Sequence, residues 1–285
     1  MGNAKAINIA FRPYNGDDAE EKIESNALHN ALKKLIPENE INIIGRRTPE
    51  GTTHRFGRSN SIDTLPIASL IYPGERYQAT NARYWDWPTF IDHANRFVKV
   101  APYEEAKDIV ATIHEAGNHA FVKSTRQKHF IQKVPRGTSL NQAIGDWAYD
   151  LIDGGPNLIV QDFATIVAEY RIFIIDGEVI TGAGKIMEHT PADHRPCDFG
   201  PFSRFTPSPD GEAVDNPDLV KRYIDLARSI ASCLPDRHTN IDVALINGRV
   251  GIVEANPLEL GQIGLFGCDI DILTRATLKS LEIIE

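Results

Sequence analysis

Residues 242–257, Asp-Val-Ala-Leu-Ile-Asn-Gly-Arg-Val-Gly-Ile-Val-Glu-Ala-Asn-Pro, decide the fold. Two apolar, β-branched runs flank Asn247-Gly248, the strongest short-range hairpin signal. Asp242, Glu254 and Asn256 interrupt this otherwise apolar ribbon with three oxygen acceptors. A buried carboxylate without a partner is too costly to keep, so these side chains predict ion pairs or a bound cation. An all-oxygen donor set suits a hard ion such as Mg²⁺, which is usually held by one or two carboxylates together with substrate phosphates. The ribbon therefore points to a nucleotide site. Register decides whether that works, because a one-residue slip sends every side chain to the other face. A strict two-residue turn pairs Ile246 with Arg249 and turns Asp242 away from Glu254 and Asn256. A three-residue loop (Ile246, Asn247, Gly248) with a G1 bulge puts all three acceptors on one face. A half-exposed hairpin whose acids face water is the plain alternative.

A second ribbon lies upstream, Ala168-Glu-Tyr-Arg-Ile-Phe-Ile-Ile-Asp-Gly-Glu-Val-Ile-Thr181, turning at Asp176-Gly177. Arg171 stands inside its hydrophobic strand, and a buried guanidinium needs an anion. A bulged loop there gives Lys185 the same face as Arg171, two cations suited to a polyphosphate. The competing expectation is a rim ion pair between Arg171 and Glu169.

Around these ribbons the chain reads as α/β. A strand at 6–11, a helix at 17–36 and a strand at 41–44 suggest a small amino-terminal lobe with parallel pairing. Residues 46–66 are polar and loop-like, and Ile67–Tyr72 reads as a third strand. Trp85, Trp87 and Phe90 form an aromatic group more suited to packing a lobe junction than to stacking on a ligand. Then follow a helix over 103–116 closed by Gly117, a strand 120–123 ending in Lys123, a strand 129–133, a helix over 140–151 and an apolar strand 157–163. Residues 187–215 lack periodicity and read as one long loop, suited to binding or to a mobile lid; it carries Arg195 and Arg204, and its His189 and His194 are expected to be solvated. A helix over 218–234 precedes the deciding hairpin, and a helix ends the chain.

The 285 residues suffice for two lobes, with ordinary hydrophobic (42%) and charged (24%) fractions. A net charge of −9 argues against a general nucleic-acid binder. Cys197, Cys233 and Cys268 are scattered, odd in number and lack metal-ligand spacing, which argues against a disulfide framework or a zinc site and fits a reducing cytoplasm. The first residues show no secretory h-region, no apolar run reaches membrane-spanning length, and Ala6 breaks a myristoylation signal at Gly2.

In order, Phe121-Val-Lys123, Val160-Gln-Asp-Phe163, Glu169-Tyr-Arg171, Asp242 and Glu254-Ala-Asn-Pro257 resemble the ATP-grasp superfamily over residues 97–267. Arg171 and the lysine downstream of it look most like a divergent clade. That clade includes the eukaryotic cell-division-cycle factor assisting assembly of translation initiation factor 2, and phage and bacterial proteins. The resemblance implies two α+β subdomains sandwiching ATP, preceded by the amino-terminal lobe. The lobe is expected at 1–96, a lid subdomain at 97–164 and a carboxy-terminal subdomain with the Mg²⁺ and phosphate site at 165–285. It implies that Lys123 reaches an α- or β-phosphate, with Lys133 or Lys99 as a second lysine. It implies that Val160, Gln161, Asp162 and Phe163 offer backbone hydrogen bonds to the adenine edge. Arg171, with Lys185, would meet the γ-phosphate and an acyl phosphate, and Asp242, Glu254 and Asn256 would hold one or two Mg²⁺ ions. Gln161-Asp162 stands where many relatives have two acids, which leaves ribose recognition open. The Gly261–Gly267 loop has no P-loop Gly-Lys-Ser/Thr and reads as a turn beside the site.

The implied activity is ATP-dependent joining of a carboxylate to an amine, or to a thiol, through an acyl phosphate. The acceptor is a small molecule, a peptide or a protein. The alternative is an ATP-binding assembly factor without ligation. Arg12, Arg46, Arg47 and Arg58 would face an anionic acceptor, or merely solvent.

Overall fold

The computed structural model describes residues 9–14, 16–43, 54–57, 83–125, 130–152, 154–194, 200–258 and 264–285. The expected strand at 67–72, Arg46, Arg47, Arg58, Arg195, Cys197 and residues 261–263 lie outside them, as does the side chain of Arg12. In chain order the elements begin β1 (Ile9–Arg12), α1 (Ala19–Leu35), β2 (Ile41–Ile43), β3 (His54–Gly57), α2 (Pro88–His93), β4 (Val98–Ala101), α3 (Tyr103–Glu115), β5 (Ala120–Ser124) and β6 (Ile131–Val134). They continue α4 (Leu140–Ile144), α5 (Tyr149–Ile152), β7 (Leu158–Asp162), β8 (Ile166–Ile175), β9 (Glu178–Gly184), β10 (Phe205–Pro207), β11 (Ala213–Asp215), α6 (Pro217–Ile230), β12 (Thr239–Ile246), β13 (Arg249–Pro257) and α7 (Ile270–Ser280). No helix among the described residues is long and apolar enough to cross a membrane.

Two compact units divide the chain. The first comprises residues 1–78, 167–243 and 255–285, and the second 79–166 and 244–254.

In the first unit, β2-β1-β3 form a parallel sheet, with Ile9 opposite Ile41 on one side and His54 on the other. The pairing of β3 corrects the expectation of loop over 46–66. The segment His-Arg-Phe-Gly carries no alternating apolar signal, and its strand character comes from the partner β1. Helix α1 starts where Asp18 accepts the Glu21 N–H at 2.9 Å, and it carries acids in its first turn and Lys33 and Lys34 in its last, matching its dipole. Its Leu28 and Leu32 join Ile9, Phe11, Phe173, Leu265 and Leu273 in one core. The stretch 187–215 is not structureless either. It holds a 3-10 turn at Pro191–Asp193 capped by Thr190, and the antiparallel pair β10–β11.

The second unit is built on the antiparallel sheet β4-β7-β5-β6. Its period of two sorts side chains cleanly. Ala101, Ala120, Val122, Val134, Leu158 and Val160 pack with α3 in the core. Phe121, Lys123, Ile131, Lys133, Ile159 and Gln161 therefore point to the opposite face. Of the aromatic group, Trp87 and Phe90 are buried and Trp85 is half-buried.

Candidate active site

Asp176 (φ 55) and Gly177 (φ 78) are both left-handed, so the β8–β9 turn is the strict two-residue type rather than the bulged loop. It pairs Ile175 with Glu178 and Ile174 with Val179, but Phe173 faces Thr181. Ile180 is thus the extra residue, a bulge inside the ribbon instead of at its tip. Beyond it Arg171 faces Ala183, and the Lys185 N–H continues the ladder to the Glu169 carbonyl at 2.9 Å. Glu169, Arg171 and Lys185 therefore share one face, by a different route from the one the sequence suggested.

Arg171 finds a carboxylate on the neighbouring strand. Strand order β13-β12-β8-β9 brings β12 beside β8, and Arg171 Nε and Nη2 each donate to one oxygen of Asp242 at 2.8 Å. This is a bidentate fork, with Arg171 7% and Asp242 0% exposed. Arg171 Nη1 donates to the Gly264 carbonyl at 3.1 Å, and the Phe266 ring lies 5.4 Å from the guanidinium carbon. Lys185 Nζ donates to Asp242 Oδ2 at 3.1 Å and also to Glu169. Burial alone would raise the Asp242 pKa, but the charges of Arg171 and Lys185 overcome it and hold the carboxyl well below its usual range. Burial likewise opposes the charge on Lys185, and Asp242 and Glu169 outweigh it and raise its pKa.

That shift fixes a pH dependence. A carboxyl with a depressed folded pKa stabilises the fold fully above its unfolded value, about 3.9, and loses that contribution as pH falls toward the folded value. The stability gap between wild type and Asp242→Asn should be constant near neutrality and shrink below about pH 4. Denaturant titrations at several pH values measure it, and a gap unchanged into strong acid contradicts the assignment.

In the second unit, Lys123 Nζ donates to Glu254 Oε2 at 2.9 Å and stands 5.0 Å from the Tyr84 ring centroid. Burial works against its charge, but Glu254 and Tyr84 raise its pKa. Lys133 shares its face and lies 4.0 Å from the Phe163 ring centroid. Lys99 does not share it. It pairs with Val160 on the helix-covered side and binds Glu105 at 2.8 Å. Of the two possible second lysines, only Lys133 stands with Lys123.

In the segment 160–163 the sheet itself uses part of the backbone. Strand β7 is interior, with Val160 between Lys99 and Val122 and Gln161 between Val98 and Phe121. The backbone groups of Val160 and Gln161 belong to the ladders, and Arg96 Nε donates to the Gln161 side chain. Asp162 accepts the Phe97 N–H at 2.7 Å, and Phe163 donates to the His119 carbonyl at 2.8 Å. Phe163 is itself exposed.

The β12–β13 turn has the same form as the other. Asn247 (φ 51) and Gly248 (φ 79) make it a two-residue turn, not the bulged loop on which a shared face for Asp242, Glu254 and Asn256 was to rest. A common face would need an extra residue within a strand, the device Ile180 supplies in β9. The Asn256 carbonyl accepts from Thr239 Oγ1 at 2.8 Å and Asn240 Nδ2 at 3.1 Å. Among the described residues no group of three or more His, Cys, Asp or Glu is placed to hold a metal.

His194 is not a solvated loop residue. Its side chain is 9% exposed, with Nδ1 3.0 Å from the Gly267 carbonyl and Nε2 3.7 Å from Asp269. Arg204 pairs with Asp215. Sequence reasoning missed Arg96, whose guanidinium also donates to the Ile252 and Val253 carbonyls at 3.0 and 2.7 Å. No periodic signal marks it, since it lies between elements.

The fold is similar to that of D-alanine–D-alanine ligase from Bacillus anthracis complexed with ATP (TM-score 0.54, 11% identity, 98% of each chain covered). It is also similar to the RimK domain protein ATP-grasp from Sphaerobacter thermophilus DSM 20745 (TM-score 0.54, 13% identity, 95% of this chain and 99% of that one). The architecture is that of an ATP-grasp protein, α+β. A weaker likeness is to Cdc123 from Schizosaccharomyces pombe (TM-score 0.40, 15% identity, 63% of this chain and 84% of that one). No curated protein sequence matches the chain. Residues 93–263 match the model of the ATP-grasp domain, R-2-K clade family 2. That is more than half of the chain, which thus belongs to this clade of ATP-grasp proteins.

Proposed function

We propose that the protein is an ATP- and Mg²⁺-dependent ligase that joins a carboxylate to an amine or a thiol through an acyl phosphate. The observation carrying this reading is the buried Arg171–Asp242–Lys185 cluster in a chain of this family. A buried ion pair is often less stabilising than an apolar replacement, so stability alone gives little reason to keep one. Its members are the groups that phosphoryl transfer needs: two cations for the charge on the transferring phosphoryl, and an oxygen donor for the metal.

In this reading residues 97–164 are the lid and 165–285 carry the Mg²⁺ and phosphate site, with 1–96 as the acceptor-facing lobe. Lys123 and Lys133 bind phosphate oxygens. Adenine recognition falls to the side chains about 160–163 and to backbone beyond Asp162, because the interior strand has committed the groups of Val160 and Gln161. Arg171 and Lys185 hold the γ-phosphoryl. The carboxylate oxygen of the donor attacks the γ-phosphorus, and ADP leaves. The acceptor nitrogen then attacks the acyl carbon, phosphate leaves, and the nitrogen sheds a proton to solvent.

Asp242, Glu254 and Asn256 offer only oxygen, which fits Mg²⁺. Among the described residues Asp242 accepts three hydrogen bonds, of the roughly four its lone pairs allow. Bound Mg²⁺ would neutralise charge on the β- and γ-phosphates. A soluble protein working in the cytoplasm, without nucleic-acid or membrane partners, completes the reading.

Incubation with ATP, Mg²⁺ and a pool of metabolites and peptides, read by mass spectrometry, tests it. ADP together with a condensed product lighter by one water is the expected result. ATP bound but never consumed would instead indicate an assembly factor. Lys123→Ala should weaken ATP binding by about tenfold or more, the worth of one hydrogen bond to a charged group. Calorimetric titration checks it, and an unchanged affinity removes Lys123 from the site.

A further inference from the structure

We propose that Glu24, on α1, is a positioning residue for Arg171, acting through residues 264–266. The inference rests on the reading of Arg171 as the group that meets the transferring phosphoryl. Glu24 Oε1 accepts two consecutive backbone N–H groups, from Leu265 at 2.8 Å and Phe266 at 2.7 Å. Both bonds are charge-assisted, and together they fix the orientation of that peptide.

The same three residues grip Arg171 twice. The Gly264 carbonyl accepts from Nη1, and the Phe266 ring packs against the guanidinium. Phe266 has φ 50, a left-handed conformation that a bulky residue keeps only where its surroundings over-determine it. Its ring folds back over Gly264, where an added Cβ would lie 2.9 Å from Phe266 Cζ. Leu265 is fully buried in the same core as Leu28 of α1. Direct contacts thus run from α1 through the loop to the guanidinium, and from there to Asp242. Through Glu24, the amino-terminal segment sets how Arg171 is held.

Full-length Glu24→Ala and Glu24→Gln discriminate. The Gln amide oxygen still accepts both N–H groups, so Glu24→Gln should stay near wild type. Glu24→Ala should lower kcat roughly ten- to hundredfold, the scale of a misplaced catalytic group, with the KM for ATP within about threefold. In an Arg171→Ala background the same substitution should cost almost nothing more, since its effect passes through that side chain. The Arg171 Nε–Hε resonance, recorded without ATP, should shift in Glu24→Ala and in Phe266→Leu and stay in place in Glu24→Gln. If Glu24→Ala does not fold, Glu24→Asp, whose shorter arm withdraws the oxygen, replaces it in every arm.

Unchanged kcat, an equal loss in the Arg171→Ala background, or an unmoved Arg171 resonance overturns the proposal. A lower Tm with full turnover per folded molecule would mean a purely structural role and overturns it too. If the wild type turns nothing over, the ligase reading fails by itself, and the resonance still decides whether Glu24 holds the guanidinium.

Discussion

Asp242→Ala is expected to cost the fold about 3–5 kcal/mol and to lower turnover by about a hundredfold or more. The stability term follows from what the carboxylate leaves behind. Arg171 is buried and donates two of its hydrogen bonds to Asp242, so the substitution strands most of a guanidinium away from water. Lys185 suffers less, because it is partly exposed and keeps Glu169. Urea denaturation reads the stability, and ADP release reads the turnover. Asp242→Leu combined with Arg171→Met separates the two effects. Removing both charges should recover much of the lost stability, since apolar side chains of similar size often replace buried pairs without penalty. Turnover should remain lost. A double variant that is stable and active would show that the cluster is structural only.

Why the need of Asp242 for a counter-charge was legible while its partner was not is a matter of which information is local. A carboxylate within Asn-Ile-Asp-Val-Ala-Leu-Ile demands a counter-charge, and that demand can be read from the chain alone. The partner depends on strand order, and nothing in residues 166–184 says that β12 lies beside β8. Burial of β12 from Thr239 to Ala244 without a break also removes the alternation by which a face would be recognised. Register failed for a related reason. Asn247-Gly248 and Asp176-Gly177 locate turns by their left-handed residues, but Ile180 sits in an apolar run where a one-residue bulge leaves no compositional trace.

The sheet of the second unit shows the same division. Its strands and the covering helix α3 follow from periodicity, and helix 103–116 matches Tyr103–Glu115 closely. Which of Lys99 and Lys133 stands with Lys123 follows only from the pairing of β4, β5, β6 and β7. Glu24 gave no sign at all. On α1 it reads as one more acid of an amphipathic helix, and its role depends on a loop some 240 residues away.

Arg171→Ala should lower kcat by about a hundredfold or more while ATP still binds, because one electrostatic stabiliser of the transferring phosphoryl is lost and the lysine contacts remain. Arg171→Lys should behave nearly as badly. The guanidinium spans both Asp242 oxygens and the Gly264 carbonyl with three nitrogens in one plane and stacks on Phe266, and a single ammonium cannot reproduce that fork. Guanidinium ion added at millimolar concentration to Arg171→Ala offers a sharper test, since the vacated slot is flat, lined by an aromatic ring and faces a fixed carboxylate. Partial recovery of turnover with guanidinium, and none with ammonium, would show that position and shape of the charge matter as well as its sign. Full activity in Arg171→Ala, or a loss of ATP binding as large as the loss of kcat, would remove Arg171 from the chemical step and leave it as ballast for Asp242.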